Sequence, residues 1–228
     1  MENKIKIAYI FSFIYGYINS LGFIIMNGLF FTFMSGNSVR LGVHIGELNL
    51  GTGFRYFSLF LFLIFGAFIG DIIFSYYRKT GMFILLVLEL FLFITAVVFS
   101  LRYNNAWVVF VPLGIAMGIQ NIVNLLIGNS LIGRSFISGI VFNLGMAFSR
   151  ILQKKSEWGI IRVYLNTWLL FILGAVLGTI MLENSNLCIS LILITIVYAY
   201  AALLIFRVWK SDKRFLVRMK KNKSKFVV

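Results

Sequence analysis

Six apolar stretches, near residues 7 to 30, 56 to 77, 82 to 101, 106 to 128, 163 to 182 and 188 to 208, leave this chain few options. A helix needs about 20 apolar residues to cross a hydrocarbon core about 30 Å thick, and each stretch is close to that length. With 61% apolar residues and a mean hydropathy of +0.96, the 228 residues hold too little polar surface to wrap such helices in a water-soluble fold. Membrane-spanning strands would alternate in short runs, and these do not. The sequence therefore predicts an all-α polytopic membrane protein with six transmembrane helices. The first stretch follows Lys4 and Lys6 as a signal peptide would. It is too long for an h-region and lacks a small-residue cleavage site, so it is expected to stay as a helix.

The chain is also internally repeated. Phe33-Met-Ser-Gly-Asn-Ser-Val-Arg-Leu-Gly42 returns 103 residues later as Phe136-Ile-Ser-Gly-Ile-Val-Phe-Asn-Leu-Gly145. Gly16 and Asn19 match Gly118 and Asn121 at an offset of 102, and the ten residues ending at Gly70 match those ending at Gly178, five of them identical, at 108. Three blocks in one order mark a duplicated unit of roughly a hundred residues. We read residues 1–104 as the first three-helix repeat, 105–209 as the second and 210–228 as a basic cytoplasmic tail. Because three is odd, the second copy enters the membrane in the opposite sense, and such inverted repeats are characteristic of secondary transporters with a substrate site near the midplane.

A net charge of +14 invites a nucleic-acid partner, but its distribution argues otherwise. With a cytoplasmic N-terminus, 18 of the 21 basic residues fall on cytoplasmic segments, leaving only Arg40, Arg55 and Arg102 outside. That bias predicts an inner-membrane location with both termini cytoplasmic. The tail after Trp209 suits anionic headgroups. The lone Cys188 rules out an intramolecular disulfide and a thiol cluster, the lone His44 argues against a multi-histidine metal site, and no cofactor is expected.

Polar residues interrupt the apolar pattern at matching places. In the first span Ser12, Tyr15 and Asn19 share a helical face, which should point into protein because an amide in lipid is costly. The fourth span carries Gln120, Asn121 and Asn124 at the equivalent height, after Pro112 and with Gly118. Gly28 to Gly53 and Ile127 to Arg150 are too polar and glycine-rich for full spans and read as broken or re-entrant segments, tolerated at membrane depth where protein or a wet cavity covers them. Gly66, Ala67 and Gly70, with Gly174, Ala175 and Gly178, are small-residue faces for close helix packing.

Gly16-Tyr-Ile-Asn-Ser20, Met34-Ser-Gly-Asn-Ser-Val-Arg-Leu-Gly42 and Ala116-Met-Gly-Ile-Gln-Asn121 together resemble the YoaK family of small bacterial inner-membrane proteins over the whole chain. Two departures stand out: Asn19 occupies a position where many relatives carry Asp, and Ile140 replaces the Asn of the second signature. The resemblance implies the membrane fold and location. The family has no assigned function, so it implies no chemistry.

The candidate substrate-binding residues are Asn19, Ser35, Gly36, Asn37, Arg40, Gln120, Asn121, Ser138 and Gly139. Ser35-Gly36 and Ser138-Gly139 are read either as tight turns or as helix starts whose free N–H groups would hold an anion, and the two are expected to meet near the bilayer centre. Arg40 faces either an anionic solute or a headgroup, with His44 four residues on. Glu89 and Asp71 are the candidates for proton coupling, since a mid-span carboxylate costs about 2.5 kcal/mol or more unless neutral, paired or wetted. These features predict a small secondary transporter or facilitator of a polar, even anionic, solute. The alternative is a substrate-binding component or partner-binding subunit of a larger membrane complex. An enzyme is not expected, because no His/Asp cluster, cysteine pair or carboxylate pair stands at catalytic spacing. The partners this allows are the lipid bilayer, a small polar solute and further copies of the chain, but no nucleic acid.

Overall fold

The computed structural model describes residues 2–77, 80–103, 105–127, 137–153 and 158–211. Side chains are described from residue 5 and not for 124–127 or 211, so the Asn124 side chain, Arg78, Lys79, Arg134 and most of the basic tail lie outside the described residues. The described residues form eight helices: α1 (Glu2–Ile25), α2 (Met34–Gly46), α3 (Leu50–Tyr76), α4 (Gly81–Arg102), α5 (Ala106–Ile127), α6 (Ile137–Leu152), α7 (Trp158–Asn184) and α8 (Leu187–Ser211). Six of them, all but α2 and α6, are long and apolar enough to cross a membrane. They coincide with the six apolar stretches.

Local chemistry sets the boundaries that the apolar pattern misplaces. α1 stops at Ile25 rather than near residue 30, because Asn27 (φ 53°) and Gly28 (φ 96°) adopt left-handed backbone and the Gly28 N–H closes onto the Phe23 carbonyl at 2.7 Å. α3 begins at Leu50, six residues before the apolar run, because Asn49 caps it by accepting from the Thr52 N–H at 3.2 Å.

After α1 the chain doubles back. Leu29, Phe31 and Thr32 are buried without helical structure, and Thr32 meets Asn19, six residues before the end of α1. At 1.5 Å per residue that is a descent of about 9 Å along α1. α2 then packs on α3, as α6 packs on α7. The expected interruption at Gly28 to Gly53 is thus a buried loop and a 13-residue helix, while α1 itself runs unbroken through Tyr15 to Ser20.

Glycines set the closest contacts. A Cβ on Gly16 of α1 would strike the Phe171 carbonyl of α7, one on Gly174 the Phe13 carbonyl, and one on Gly178 the Ser20 hydroxyl. Tyr9 meets Asn166 at one end of this contact and Ser20 meets Gly178 at the other, so α1 and α7 run parallel. In the same way Gly66 of α3 meets the Ile115 carbonyl of α5 and Gly118 meets the Leu63 carbonyl, and with Gly114 against Leu59 at one end and Gly70 against Ile122 at the other, α3 and α5 are parallel. Across the remaining long contact, Phe83 meets Phe206 while Phe93 stacks on Tyr198 at 4.8 Å, so α4 and α8 are antiparallel. The large side chains locked in this core are Tyr17, Tyr198, Phe31 and Phe93.

Candidate functional site

Two asparagines hold the buried loop. Asn19 accepts from the Thr32 N–H at 3.1 Å and donates through Nδ2 to Thr32 Oγ1 at 2.6 Å and to the Tyr15 carbonyl at 2.7 Å. Asn37, on the first turn of α2, accepts from the Phe30 N–H at 3.1 Å and donates to the Phe30 carbonyl at 2.5 Å. Their amides stand in for the sheet or helix partners that this backbone lacks, and unpaired peptide groups there would be costly. Arg40 is fixed at the same loop, its guanidinium 5.8 Å from the Phe23 ring centre and 6.0 Å from that of Phe30, pressed against Gly28. His44 stacks on Tyr56 and lies 3.4 Å from Glu47 rather than beside Arg40's partners.

A second polar group occupies the helix core. Glu89 of α4 is 0% exposed, and the Tyr198 hydroxyl of α8 donates to its Oε2. Glu89 Oε1 has no hydrogen-bond partner among the described residues. Gln120 of α5 is also 0% exposed, and neither its Nε2 nor its Oε1 is paired among the described residues. The two are level: α4 and α5 pack as a hairpin, and Glu89 lies 13 residues before Arg102 while Ile119 lies 13 after Ala106. Gln120 follows Ile119 and points about 160° away from Gly118, at 100° per residue, hence away from α3. Tyr15 lies within electrostatic range of Tyr198. Nearer the start of α8, Tyr17 donates to the Ser190 carbonyl at 3.1 Å.

The Glu89–Tyr198 contact has two self-consistent proton arrangements. With a carboxylate, Tyr198 donates to Glu89. With a neutral acid, Glu89 donates to the Tyr198 oxygen and the phenol turns to the Leu86 carbonyl, 3.5 Å away. The site can therefore take up or release a proton without orphaning the phenol.

Of the residues expected to bind solute, Asn19, Asn37 and Gln120 are buried, Arg40, Gly36, Asn121 and Gly139 are half-buried, and Ser35 and Ser138 are exposed. Asp71 is exposed on α3, away from Glu89's buried face. The Ser-Gly segments do not meet as expected: α2 and α6 share no packed interface, because Asn37 and Arg40 tie the start of α2 to its own loop. Tyr198, Tyr17 and Ser190 were not among the expected residues. The sequence marks Tyr198 only as one of several hydroxyls inside the apolar run Leu187 to Arg207, with Ser190, Thr195 and Tyr200.

The fold and its buried polar group define a polytopic α-helical membrane protein. The chain belongs to the family DUF1275, described as a protein of unknown function, whose model matches residues 7–205. This membership is compatible with the resemblance to the YoaK family. No curated protein and no solved structure matches the chain.

Proposed function

We propose that the protein is a small secondary transporter or facilitator of a polar solute, with its site around Glu89 of α4, which packs on both α5 and α8. The observation that carries this reading is the pair Glu89 and Gln120, fully buried among apolar helices with three polar atoms unpaired among the described residues. An unpaired buried polar atom costs about 1 to 3 kcal/mol, and a native core carries few of them. Intramembrane ionisable residues are by default functional, marking solute or proton pathways.

Support for an inverted repeat comes from helix direction. With α1 parallel to α7, α3 parallel to α5 and α4 antiparallel to α8, each helix of the first half runs opposite to its counterpart in the second. The matched glycines Gly16 and Gly118 each pack on the other half. In this reading the two halves rock about the α4–α8 contact, and Glu89 carries the proton while Asn19 and Asn37 hold the loop shut over the outer end. Arg40 and Asp71 take supporting or surface roles.

The test is a thermal-stability screen of the purified protein against cationic, neutral and anionic metabolites, since a ligand of the folded state alone raises its stability. Any hit is then followed by counterflow in proteoliposomes. Ligand-dependent stabilisation with counterflow lost in Glu89→Gln is expected; absence of any solute effect across the three classes would overturn the transporter reading.

A further inference from the structure

We infer that the solute bound between Glu89 and Gln120 is a small cation bearing N–H donors, a protonated amine or guanidinium, and not an anion. This deepens the transporter reading and rests on it. Among the described residues no lysine, arginine or histidine is buried, whereas Glu89 is fully buried. Arg40, the basic residue closest to the loop, is already committed to Phe23, Phe30 and Gly28. An anion at Glu89 would meet a carboxyl group with no cation to offset it, in surroundings that strengthen the repulsion.

The unpaired atoms specify the complement. Glu89 Oε1 is an acceptor in the carboxylate state, and Gln120 Oε1 is an acceptor in any state. With the Tyr198 oxygen beside Glu89 and Gln120 level with Glu89 on the adjoining helix, these are acceptors on three helices, α4, α5 and α8. An ammonium or guanidinium brings several donors and one positive charge, which suits two or three oxygens around a single carboxylate. Aromatic rings complete the lining. Tyr198 is stacked with Phe93, and Tyr15 lies nearby, the type of surface that attracts an organic cation in a dry site. Gln120 Nε2 is left to donate to an oxygen elsewhere on the solute.

The test uses the full chain in proteoliposomes on a solid-supported membrane, with concentration jumps of ethylamine, guanidine or putrescine, of acetate, lactate or phosphate, and of glycerol or urea. Melting curves in detergent run alongside with the same probes. Positive charge displacement and stabilisation by the ammonium and guanidinium probes alone are expected. Glu89→Gln should weaken their apparent affinity by more than about tenfold, as for loss of one partner of a buried ion pair. Tyr198→Phe, which keeps the ring stack, should weaken it less, and Glu183→Gln, an exposed acid at the end of α7, should not change it. Response to anions or to neutral solutes with the ammonium probes inert would overturn this inference while leaving a transporter. Unchanged ammonium affinity in folded Glu89→Gln protein would also overturn it. Silence toward every probe would overturn both the inference and the transporter reading.

Discussion

Gly16 packs directly on the Phe171 backbone carbonyl, so closely that no side chain fits between α1 and α7. The same contact recurs between Gly118 and Leu63 on α5 and α3. In lipid there is little hydrophobic gain from bringing helices together, so close backbone approach supplies the attraction. Gly16→Ala and Gly118→Ala should each lower stability by about 1 to 3 kcal/mol through overpacking against immovable backbone. Gly42→Ala on α2, where a Cβ meets nothing within 4 Å, should instead stabilise by about 0.5 to 1 kcal/mol. Melting temperatures of the three purified variants check this; Gly16→Ala melting with the parent protein would contradict the packing.

The Tyr198–Glu89 contact gives a second prediction. Tyr198→Phe leaves both carboxyl oxygens without a protein partner and should destabilise by about 1 to 3 kcal/mol. Glu89→Gln keeps an acceptor for the phenol and should fold with little loss. In a double-mutant cycle the two changes should be non-additive, as for residues sharing one hydrogen bond. Strict additivity in denaturation would mean that the phenol and the acid do not interact.

The six spans, the packing glycines and the buried face of Ser12, Tyr15 and Asn19 are all legible in the sequence, because lipid fixes the length of a span and the price of a polar group in it. The partner of Glu89 is not. Tyr198 is 109 residues away, and nothing in local spacing couples one to the other. Asn37 misleads for a similar reason: it reads as a solute ligand, yet both ends of its amide are used on Phe30. Ser35 and Ser138 share a motif, but the motif records helix starts in both repeats and not a common cavity.

Because Asn37 pins the loop between α1 and α2, its loss should open that loop without unfolding the bundle. Phe31 is fully buried against Phe110, with ring centres 5.0 Å apart. A cysteine at position 31 in a Cys188→Ser background should resist thiol reagents, and adding Asn37→Ala should expose it. Equal protection in both backgrounds would show that Arg40 and Asn19 suffice.

The last prediction concerns orientation. The basic residues concentrate before α1, after α3, around α6 and after α8, and the rule that positive segments stay in the cytoplasm then puts the α2–α3 turn outside and the end of α6 inside. Helix directions agree, since α1, α4 and α7 share one sense and α3, α5 and α8 the other. Leu48 and Leu152 are highly exposed reporters of the two faces. In the Cys188→Ser background, Leu48→Cys should react with an impermeant maleimide added to intact cells, and Leu152→Cys should react only after the membrane is opened. Ser185→Cys, in the turn between α7 and α8, should behave like Leu48→Cys. If positions 48 and 152 label from the same side, the two halves do not face opposite ways, and the site between Glu89 and Gln120 loses the symmetric framework that would let it open alternately to each side.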